Sequence, residues 1–303
     1  MKQLSRTFVV SAAAAGAALA MATRRNALRV PRWLWCAAAA AGAAVAANDV
    51  AGKPVLFLRW SFLRMAARQK HLFREWQVGD GREQALADYV TTHARAGDLD
   101  DAIRVVDEFC YRKSFLINVG DEKGKILDAA VRRVRPRVLL ELGTYCGYSA
   151  LRMARAMPPD AHRCSIEFNA ANAAIARRSW EHAGIADRVT AVVGTLGDGG
   201  ATLWRLREQH GFSPGGVDLV FIDHAKKEYV PDLERILDEG WLHPGSVVVA
   251  DNVKFPGAPE YRAYMHAREG TGWRTTEHST HAEYQSLVRD LVLESEYLQG
   301  TSS

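Results

Sequence analysis

The chain has 303 residues, and its composition of 48% hydrophobic and 24% charged residues excludes a disordered or fibrous protein. Its length suits one large α/β domain with an extension, or two small domains. The formal net charge of +4 hides an asymmetry, because residues 1–75 carry 12 basic and 2 acidic residues and the remainder carries a net −6. Since that remainder has no basic stripe and no nucleic-acid motif, we expect no nucleic-acid partner.

The four cysteines, Cys36, Cys110, Cys146 and Cys164, include no CxxC pair and have no histidine at zinc-site spacing. An even number of cysteines does not imply a disulfide framework in a chain of this length. The sequence therefore predicts reduced thiols in a cytosol-like compartment.

Two Ala-rich apolar stretches, residues 8–22 and 33–47, lie near the N-terminus between basic residues. Both are shorter than the roughly 20 residues that cross a bilayer. Three interpretations stay open: a membrane anchor, a signal or organelle-targeting peptide cleaved near residue 22, and a loosely helical tail. We expect a membrane-associated chain with a cytosol-like folded domain, and the alternative is an organelle-targeted or secreted chain after cleavage.

A basic, aromatic-rich stretch follows at residues 55–76. It predicts a helix that either lies on an anionic membrane surface or serves as a solvated linker. Gly79-Asp80-Gly81 then interrupts the pattern. We therefore predict an N-terminal extension over residues 1–78 and a folded domain over residues 79–303.

The folded domain begins with three predicted helices and continues with alternating strands and helices. The helices are expected at 83–95, 99–112 and 120–134. Strands are expected at 138–142, 164–167, 189–193, 217–223 and 246–251, with helices after them at 147–156, 169–183, 199–210, 229–239 and 259–268. Two late strands, near 273–278 and 289–295, have no helix between them. This pattern predicts an α/β fold with a mostly parallel seven-stranded sheet, helices on both faces and an antiparallel edge.

Ligands of such a sheet bind outside the carboxyl ends of the strands. The first predicted strand ends in a turn with Gly143 and Gly147, which let the backbone approach a ligand closely. The second ends at Glu167, an acid that can accept both hydroxyls of a ribose. The turn is not GxGxxG, so the two features together favour a nucleoside cofactor other than a dinucleotide.

Polar side chains also follow the fourth and fifth predicted strands. Asp223 and Lys226 come after one strand, and Asp251 and Asn252 after the other. A single strand-end aspartate is more often a helix cap, but two neighbouring ends that supply only oxygen ligands favour Mg²⁺. We expect the intervening His224 to be a hydrogen-bonding residue.

Four sequence blocks resemble catechol O-methyltransferases, over roughly 220 residues from about Gly79 to Gly300. They are Asn118-Val-Gly-Asp-Glu-Lys-Gly-Lys125, Leu139-Leu-Glu-Leu-Gly-Thr-Tyr-Cys-Gly-Tyr-Ser149, Phe221-Ile-Asp-His224 and Ala250-Asp-Asn-Val-Lys-Phe-Pro-Gly-Ala-Pro259. The resemblance implies a Rossmann-like methyltransferase fold and transfer of a methyl group from S-adenosylmethionine to one hydroxyl of a small-molecule catechol chelated to Mg²⁺. It also implies a monomeric catalytic domain, and membrane-bound members carry an N-terminal anchor.

The resemblance further assigns residues to roles. Those implied for S-adenosylmethionine are Val119, Glu141, Tyr145, Ser149, Glu167, Asp223 and His224. Those implied for Mg²⁺ are Asp223, Asp251 and Asn252. The acceptor would contact Asp223, Lys226, Asn252, Pro256 and Glu283. Lys226 would be the general base, Glu283 would hold the second hydroxyl, and Pro256 would line the ring slot.

The chain departs from the family pattern in three ways: Ala225 and Phe115 each replace a usual slot aromatic, and Leu196-Gly197 replaces an adenine-side Ser-Gln pair. A wider slot is therefore expected. One alternative is a cation-dependent O-methyltransferase for other vicinal diols, such as phenylpropanoids. Another is a membrane trafficking protein that keeps the fold without the activity, which loss of the metal residues would have favoured.

Overall fold

A seven-stranded sheet lies at the centre of the protein, in a computed structural model that describes residues 31–49, 55, 58–75 and 77–299. Its strands are β1 (Val138–Leu142), β2 (His162–Glu167), β3 (Val189–Val193), β4 (Val217–Ile222), β5 (Leu242–Ala250), β6 (Trp273–His281) and β7 (Arg289–Tyr297). Their order is β3-β2-β1-β4-β5-β7-β6. Strands β1 to β5 are parallel, and β7 pairs antiparallel with β5 and β6. The predicted mostly parallel sheet with an antiparallel edge is confirmed.

Helices cover both faces of this sheet, as predicted. In chain order they are α1 (Arg32–Asp49), α2 (Trp60–Ala67), α3 (Gln69–Glu75), α4 (Arg82–His93), α5 (Leu99–Arg112), α6 (Gly120–Val134), α7 (Tyr148–Ala156), α8 (Ala170–His182), α9 (Ala201–His210), α10 (Tyr229–Asp238) and α11 (Pro259–Ala267). Helices α4 to α8 contribute to one buried apolar cluster, and α9 to α11 contribute to the other.

The alternation of side chains along each strand explains these two clusters. In β4, Leu219 and Phe221 belong to the cluster under α4 to α8, whereas Val220 and Ile222 belong to the cluster under α9 to α11. Successive side chains of a strand point to opposite faces, so a parallel sheet covered on both sides needs apolar residues at every position. The continuous apolar runs in the sequence have this cause.

The described part of the N-terminal extension consists of helices α1 to α3. Within the residues that the structure describes, each helix falls short of the length and apolar content needed to cross a bilayer. The first apolar stretch, residues 8–22, lies outside the described residues. The predicted single helix over residues 55–76 is two helices, α2 and α3, which meet at Arg68.

Helix α2 contacts the folded domain across the predicted boundary at residue 79. The Ser61 hydroxyl accepts the Phe115 backbone N–H at 3.1 Å. The buried Arg82 guanidinium donates to the carbonyl oxygens of Ser61 at 2.6 Å and Phe115 at 2.5 Å. The Phe62 ring packs edge-on against the Phe115 ring, with 5.7 Å between centroids. One side of α2 therefore packs against the folded domain. The domain boundary at residue 79 stays a prediction.

Candidate active site

The turn after β1 lies directly against the end of β4. Gly143 has φ of +105°, and a Cβ atom there would come within 2.3 Å of the Asp223 carbonyl oxygen. A little further on, the Trp180 indole donates to the Gly147 carbonyl at 2.9 Å. A Cβ atom at Gly147 would come within 2.5 Å of the Trp180 indole nitrogen. Only glycine, which has no side chain, fits at both positions. The glycine turn predicted from sequence thus joins the ends of β1 and β4.

Glu167 lies at the end of β2 beside this turn, as the sequence predicted. One carboxylate oxygen accepts the backbone N–H of Tyr145 at 2.8 Å, and the other accepts that of Asn169 at 3.0 Å. Burial raises the pKa of Glu167 to about 6, although these hydrogen bonds act in the opposite direction. The carboxylate is therefore fixed in place by the backbone of two neighbouring turns.

Glu141 is completely buried, and both of its carboxylate oxygens are engaged within the protein. They accept hydrogen bonds from the hydroxyls of Ser149 and Ser165 and from the Arg163 guanidinium. Burial lowers the pKa of Arg163, and the Glu141 charge opposes this change. Glu141 thus orients Ser149, at the start of α7. Arg163 could not be predicted from the sequence, because a charged residue inside a buried strand forms no recognisable motif.

The Lys226 ammonium links the predicted site residues Asp223 and Asn252 directly, and Asp251 through Tyr229. Its Nζ donates to Asp223 Oδ1 at 3.1 Å and to Asn252 Oδ1 at 3.3 Å. It also donates to the hydroxyl of Tyr229, which in turn donates to the Asp251 carbonyl at 3.0 Å. The ends of β4 and β5 therefore converge on one point, as their neighbouring positions in the sheet require.

Asp251, the other predicted metal ligand, faces a second lysine. Its Oδ1 accepts the Asn252 backbone N–H at 2.7 Å, and its Oδ2 lies 2.8 Å from Lys123 Nζ. That ion pair lacks hydrogen-bond geometry, so Oδ2 accepts no hydrogen bond from the described residues. Within the described part of the chain, no three His, Cys, Asp or Glu side chains are grouped as metal ligands would be.

Lys123 and Asp290 complete this cluster, and neither was singled out from sequence. Lys123 Nζ contacts Glu283 and lies 3.1 Å from Asp290 Oδ2. Lys123 lies in the block 118–125, one of the four that resemble catechol O-methyltransferases. Asp290 lies in none of these blocks and is an isolated acid at the start of β7. We call the six side chains that meet here the acid–lysine cluster; they are Lys123, Asp223, Lys226, Asp251, Glu283 and Asp290.

Burial dominates the electrostatics of the cluster. It raises the pKa of Asp223 and of Asp251 above the ordinary range, and neighbouring carboxylates raise both further, while the lysines lower them. Burial also disfavours the Lys123 ammonium, but the surrounding carboxylates outweigh it and raise the pKa of Lys123. Burial therefore favours the neutral forms of Asp223 and Asp251, and the two lysines oppose this effect.

His224 and Pro256 lie at the margins of the cluster. The His224 ring stacks on Tyr229, and its Nε2 lies 2.9 Å from Asp232 Oδ2. Its Nδ1 has no hydrogen-bond partner in the described ranges. Pro256 is exposed in the turn Val253–Gly257. His224 thus forms a hydrogen bond, as expected, and its partner is Asp232. Pro256 is exposed to solvent beside the cluster.

Comparison with known proteins gives consistent matches. The model of a family described as O-methyltransferase matches residues 97–262. A probable O-methyltransferase of Mycobacterium tuberculosis is 62% identical over 234 residues, which cover 77% of this chain and 100% of the relative. The catechol O-methyltransferase of Mus musculus is 38% identical over 226 residues, covering 75% of this chain and 82% of the relative.

A solved structure matches as well. The O-methyltransferase TomG from Streptomyces achromogenes, involved in tomaymycin synthesis and solved in complex with S-adenosylmethionine, superposes with a TM-score of 0.52 at 26% identity. The match covers 66% of this chain and 89% of that chain. This superposition shows that the chain shares the fold of that O-methyltransferase.

Replacing Gly143 with alanine is expected to disrupt the junction between β1 and β4, because the new methyl group would collide with a backbone carbonyl. We expect a loss of stability of more than about 3 kcal/mol and a loss of cofactor binding. Gly199→Ala is the matched control, since Gly199 also has positive φ but has open space where a Cβ atom would lie. It is expected to cost only about 1–2 kcal/mol. Equal melting temperatures for the two variants would contradict this account.

Proposed function

We propose that the acceptor of this chain is a catechol held by Mg²⁺ at the acid–lysine cluster. The chain belongs to the O-methyltransferase family and uses S-adenosylmethionine. The observation that carries this proposal is the set of oxygen atoms at the ends of β4 and β5. Asp223 and Asn252 both direct a side-chain oxygen to one ammonium, and Asp251 holds a buried oxygen that accepts no hydrogen bond from the described residues.

This donor set fits a hard divalent cation. Carboxylate and amide oxygens are the ligands that Mg²⁺ prefers, and two or three of them leave room for water and substrate. The Lys226 ammonium between Asp223 and Asn252 is a cation in contact with both oxygens. A site that already attracts one cation with two oxygens is suited to another cation of higher charge.

The charge balance of the cluster supports the same proposal. Four carboxylates, those of Asp223, Asp251, Glu283 and Asp290, surround the two ammonium groups of Lys123 and Lys226. Full ionisation of every group would give the cluster a net charge of −2, which burial and the neighbouring carboxylates oppose by raising the pKa of Asp223 and Asp251. Buried charge without a counterion is costly, so one divalent cation would bring the cluster to neutrality.

The cofactor would lie at the ends of β1 and β2, next to the cluster. Tyr145 lies in the turn after β1, Ser149 lies in the first turn of α7, and Val119 directly precedes α6. Glu167 is the acid placed to accept ribose hydroxyls. His224 offers an Nδ1 atom that makes no hydrogen bond within the described residues. S-adenosylmethionine would supply the methyl group as a sulfonium, which transfers it without an external oxidant or reductant.

Bound Mg²⁺ would act as a Lewis acid that makes the acceptor hydroxyls easier to ionise. In its neutral form, which the adjacent dication would favour over the ammonium, Lys226 Nζ is the nitrogen placed to take the proton from the reacting hydroxyl. Glu283, beside Asn252, is placed to accept a hydrogen bond from the second hydroxyl. Because the cofactor turn and the cluster share the contact between Gly143 and Asp223, the chain holds both reactants on one rigid support.

Purified full-length protein should methylate catechols in the presence of S-adenosylmethionine and Mg²⁺. We expect EDTA to abolish product formation and added Mg²⁺ to restore it, while a phenol with a single hydroxyl stays unmethylated.

A panel that includes phenylpropanoid diols tests acceptor breadth, because Ala225 leaves one side of the slot without an aromatic wall. Transfer to catechol that is insensitive to EDTA would overturn the metal assignment. Binding of S-adenosylmethionine without transfer to any diol would favour the trafficking alternative.

Lys226→Met should lower kcat by about 10²–10⁴-fold, as removal of a general base usually does. Affinity for S-adenosylmethionine should stay within about twofold of wild type, because the cofactor turn and Glu167 are untouched. Lys227→Met is the matched control, since the Lys227 side chain is 83% exposed and pairs only with Glu228 at 3.6 Å among the described residues. A kcat of Lys226→Met close to that of Lys227→Met would show that Lys226 is not the base.

We also propose that the N-terminal extension brings the protein to a membrane surface. The basic excess of residues 1–75 and the exposed Trp60 and Leu63 of α2 support this proposal. Cell fractionation of the tagged full-length protein should recover it with membranes and release part of it at high salt. Recovery at full mass wholly in the supernatant would contradict membrane association, and a shortened membrane-free form would favour cleavage.

A further inference from the structure

Asp290, at the start of β7, is fully buried and accepts hydrogen bonds on both oxygens. Its Oδ1 accepts three backbone N–H groups: Leu291 at 2.7 Å, Phe255 at 2.9 Å and Lys254 at 3.3 Å. Its Oδ2 accepts the Asn252 side-chain amide at 2.9 Å and the Lys123 ammonium at 3.1 Å. One carboxylate thus ties β7 to the turn after β5 and to the side chain of Asn252.

The orientation of the Asn252 amide depends on this contact. Its Nδ2 donates to Asp290 Oδ2 and to Glu283 Oε1, both at 2.9 Å. The opposite atom, Oδ1, therefore faces Lys226 Nζ at 3.3 Å, on the side of Asp223. A flipped amide would set its oxygen against two carboxylates and its NH₂ group against an ammonium, so the observed orientation is strongly preferred.

We propose that Asp290 is a positioning residue that fixes the Asn252 amide with its oxygen toward the cation position and also holds the Lys254–Phe255 turn. The inference rests on the proposed function, because a metal ligand is useful only if an oxygen faces the metal. It adds a residue that touches neither the cofactor nor the acceptor. Partners of metal ligands commonly have this effect, and their loss costs roughly 10–100-fold in metal affinity.

The chemistry requires a carboxylate rather than an amide at position 290. The three backbone N–H groups demand an oxygen at Oδ1, so an asparagine would have to place its NH₂ group at the Oδ2 position. There it would meet two donors, the Asn252 amide and the Lys123 ammonium. Asn252 would relieve the conflict by rotating its amide, which turns its NH₂ group toward Asp223 and Lys226.

Three variants test the proposal: Asp290→Asn, Asn252→Asp and the double replacement. Mn²⁺ binding, measured by calorimetry on the full-length protein, should weaken at least about 10-fold in Asp290→Asn. The double variant keeps the charge of the cluster and restores a donor–acceptor pair between positions 252 and 290. It should therefore recover part of the Mn²⁺ affinity lost in Asp290→Asn, because only the contact with Glu283 then sets two carboxylates side by side, whereas Asn252→Asp alone sets the new carboxylate against both Glu283 and Asp290.

Asp128→Asn is the matched control. Asp128 is also a buried aspartate, and it pairs with Arg152 and Arg155 at 2.6 Å each, away from the cluster. Its replacement removes a buried charge without touching Asn252, so Mn²⁺ affinity should be unchanged. A second measurement needs no metal: the Asn252 side-chain NH₂ protons, followed by ¹⁵N NMR, should exchange with water faster in Asp290→Asn than in wild type or Asp128→Asn.

Unchanged Mn²⁺ affinity together with unchanged NH₂ exchange in Asp290→Asn would overturn the proposal. If the wild-type protein binds no Mn²⁺, the proposed metal fails, and the NH₂ exchange then decides whether Asp290 orients Asn252. If Asp290→Asn does not fold, as judged by binding of S-adenosylhomocysteine, the double variant decides. Recovery of folding and Mn²⁺ binding in the double variant supports the pairing, and failure of both contradicts it.

Discussion

The need to balance four carboxylates in one place, of which Asp251 and Asp290 are fully buried, constrains the rest of the structure. Asp223 and Asp251 end two neighbouring strands, while Glu283 and Asp290 come from the antiparallel edge of the sheet. Lys123 reaches them from α6, a helix that precedes every strand of the sheet. Burial of such a group is tolerated only when each charge meets a partner of opposite sign. The cluster therefore links the start of the domain, its parallel strands and its last hairpin.

The strand order explains why the proposed cofactor and cation positions adjoin. Strand β1 lies between β2 and β4, so the turn that follows it can touch the end of β4. Gly143 makes that contact because it has no side chain, and Asp223 supplies the carbonyl that it meets. The β2 side of this junction carries Glu167, and the other side carries Lys226. A single glycine contact thus separates the Glu167 side of the site from the Lys226 side.

Local patterns in the sequence were sufficient for the strands, the helices and the residues at strand ends. Asp223, Asp251 and Asn252 follow apolar runs, so their meeting follows from the rule that parallel strands end at one edge. Lys123 and Asp290 are 167 residues apart, and neither stands at the carboxyl end of a predicted strand. Their contact depends on how α6 and β7 pack. The basic stretch 55–76 gave no sign of which side chains are buried. Arg59 and Ser61 are buried, because their burial depends on contacts with the folded domain.

The position of Lys226 links metal binding to proton transfer under the proposed function. Without a metal, its ammonium holds the Asp223 and Asn252 oxygens, which are two of the three oxygens assigned to the cation. An arriving cation and this ammonium would compete for the same atoms, and like charges repel at such distances. Loss of the ammonium proton would remove this repulsion and leave Lys226 Nζ able to accept the proton of the acceptor, as its proposed role requires. Lys123, tied to Glu283 and Asp290 on the other side, can remain in place. One lysine thus keeps the cluster folded while the other is released for chemistry.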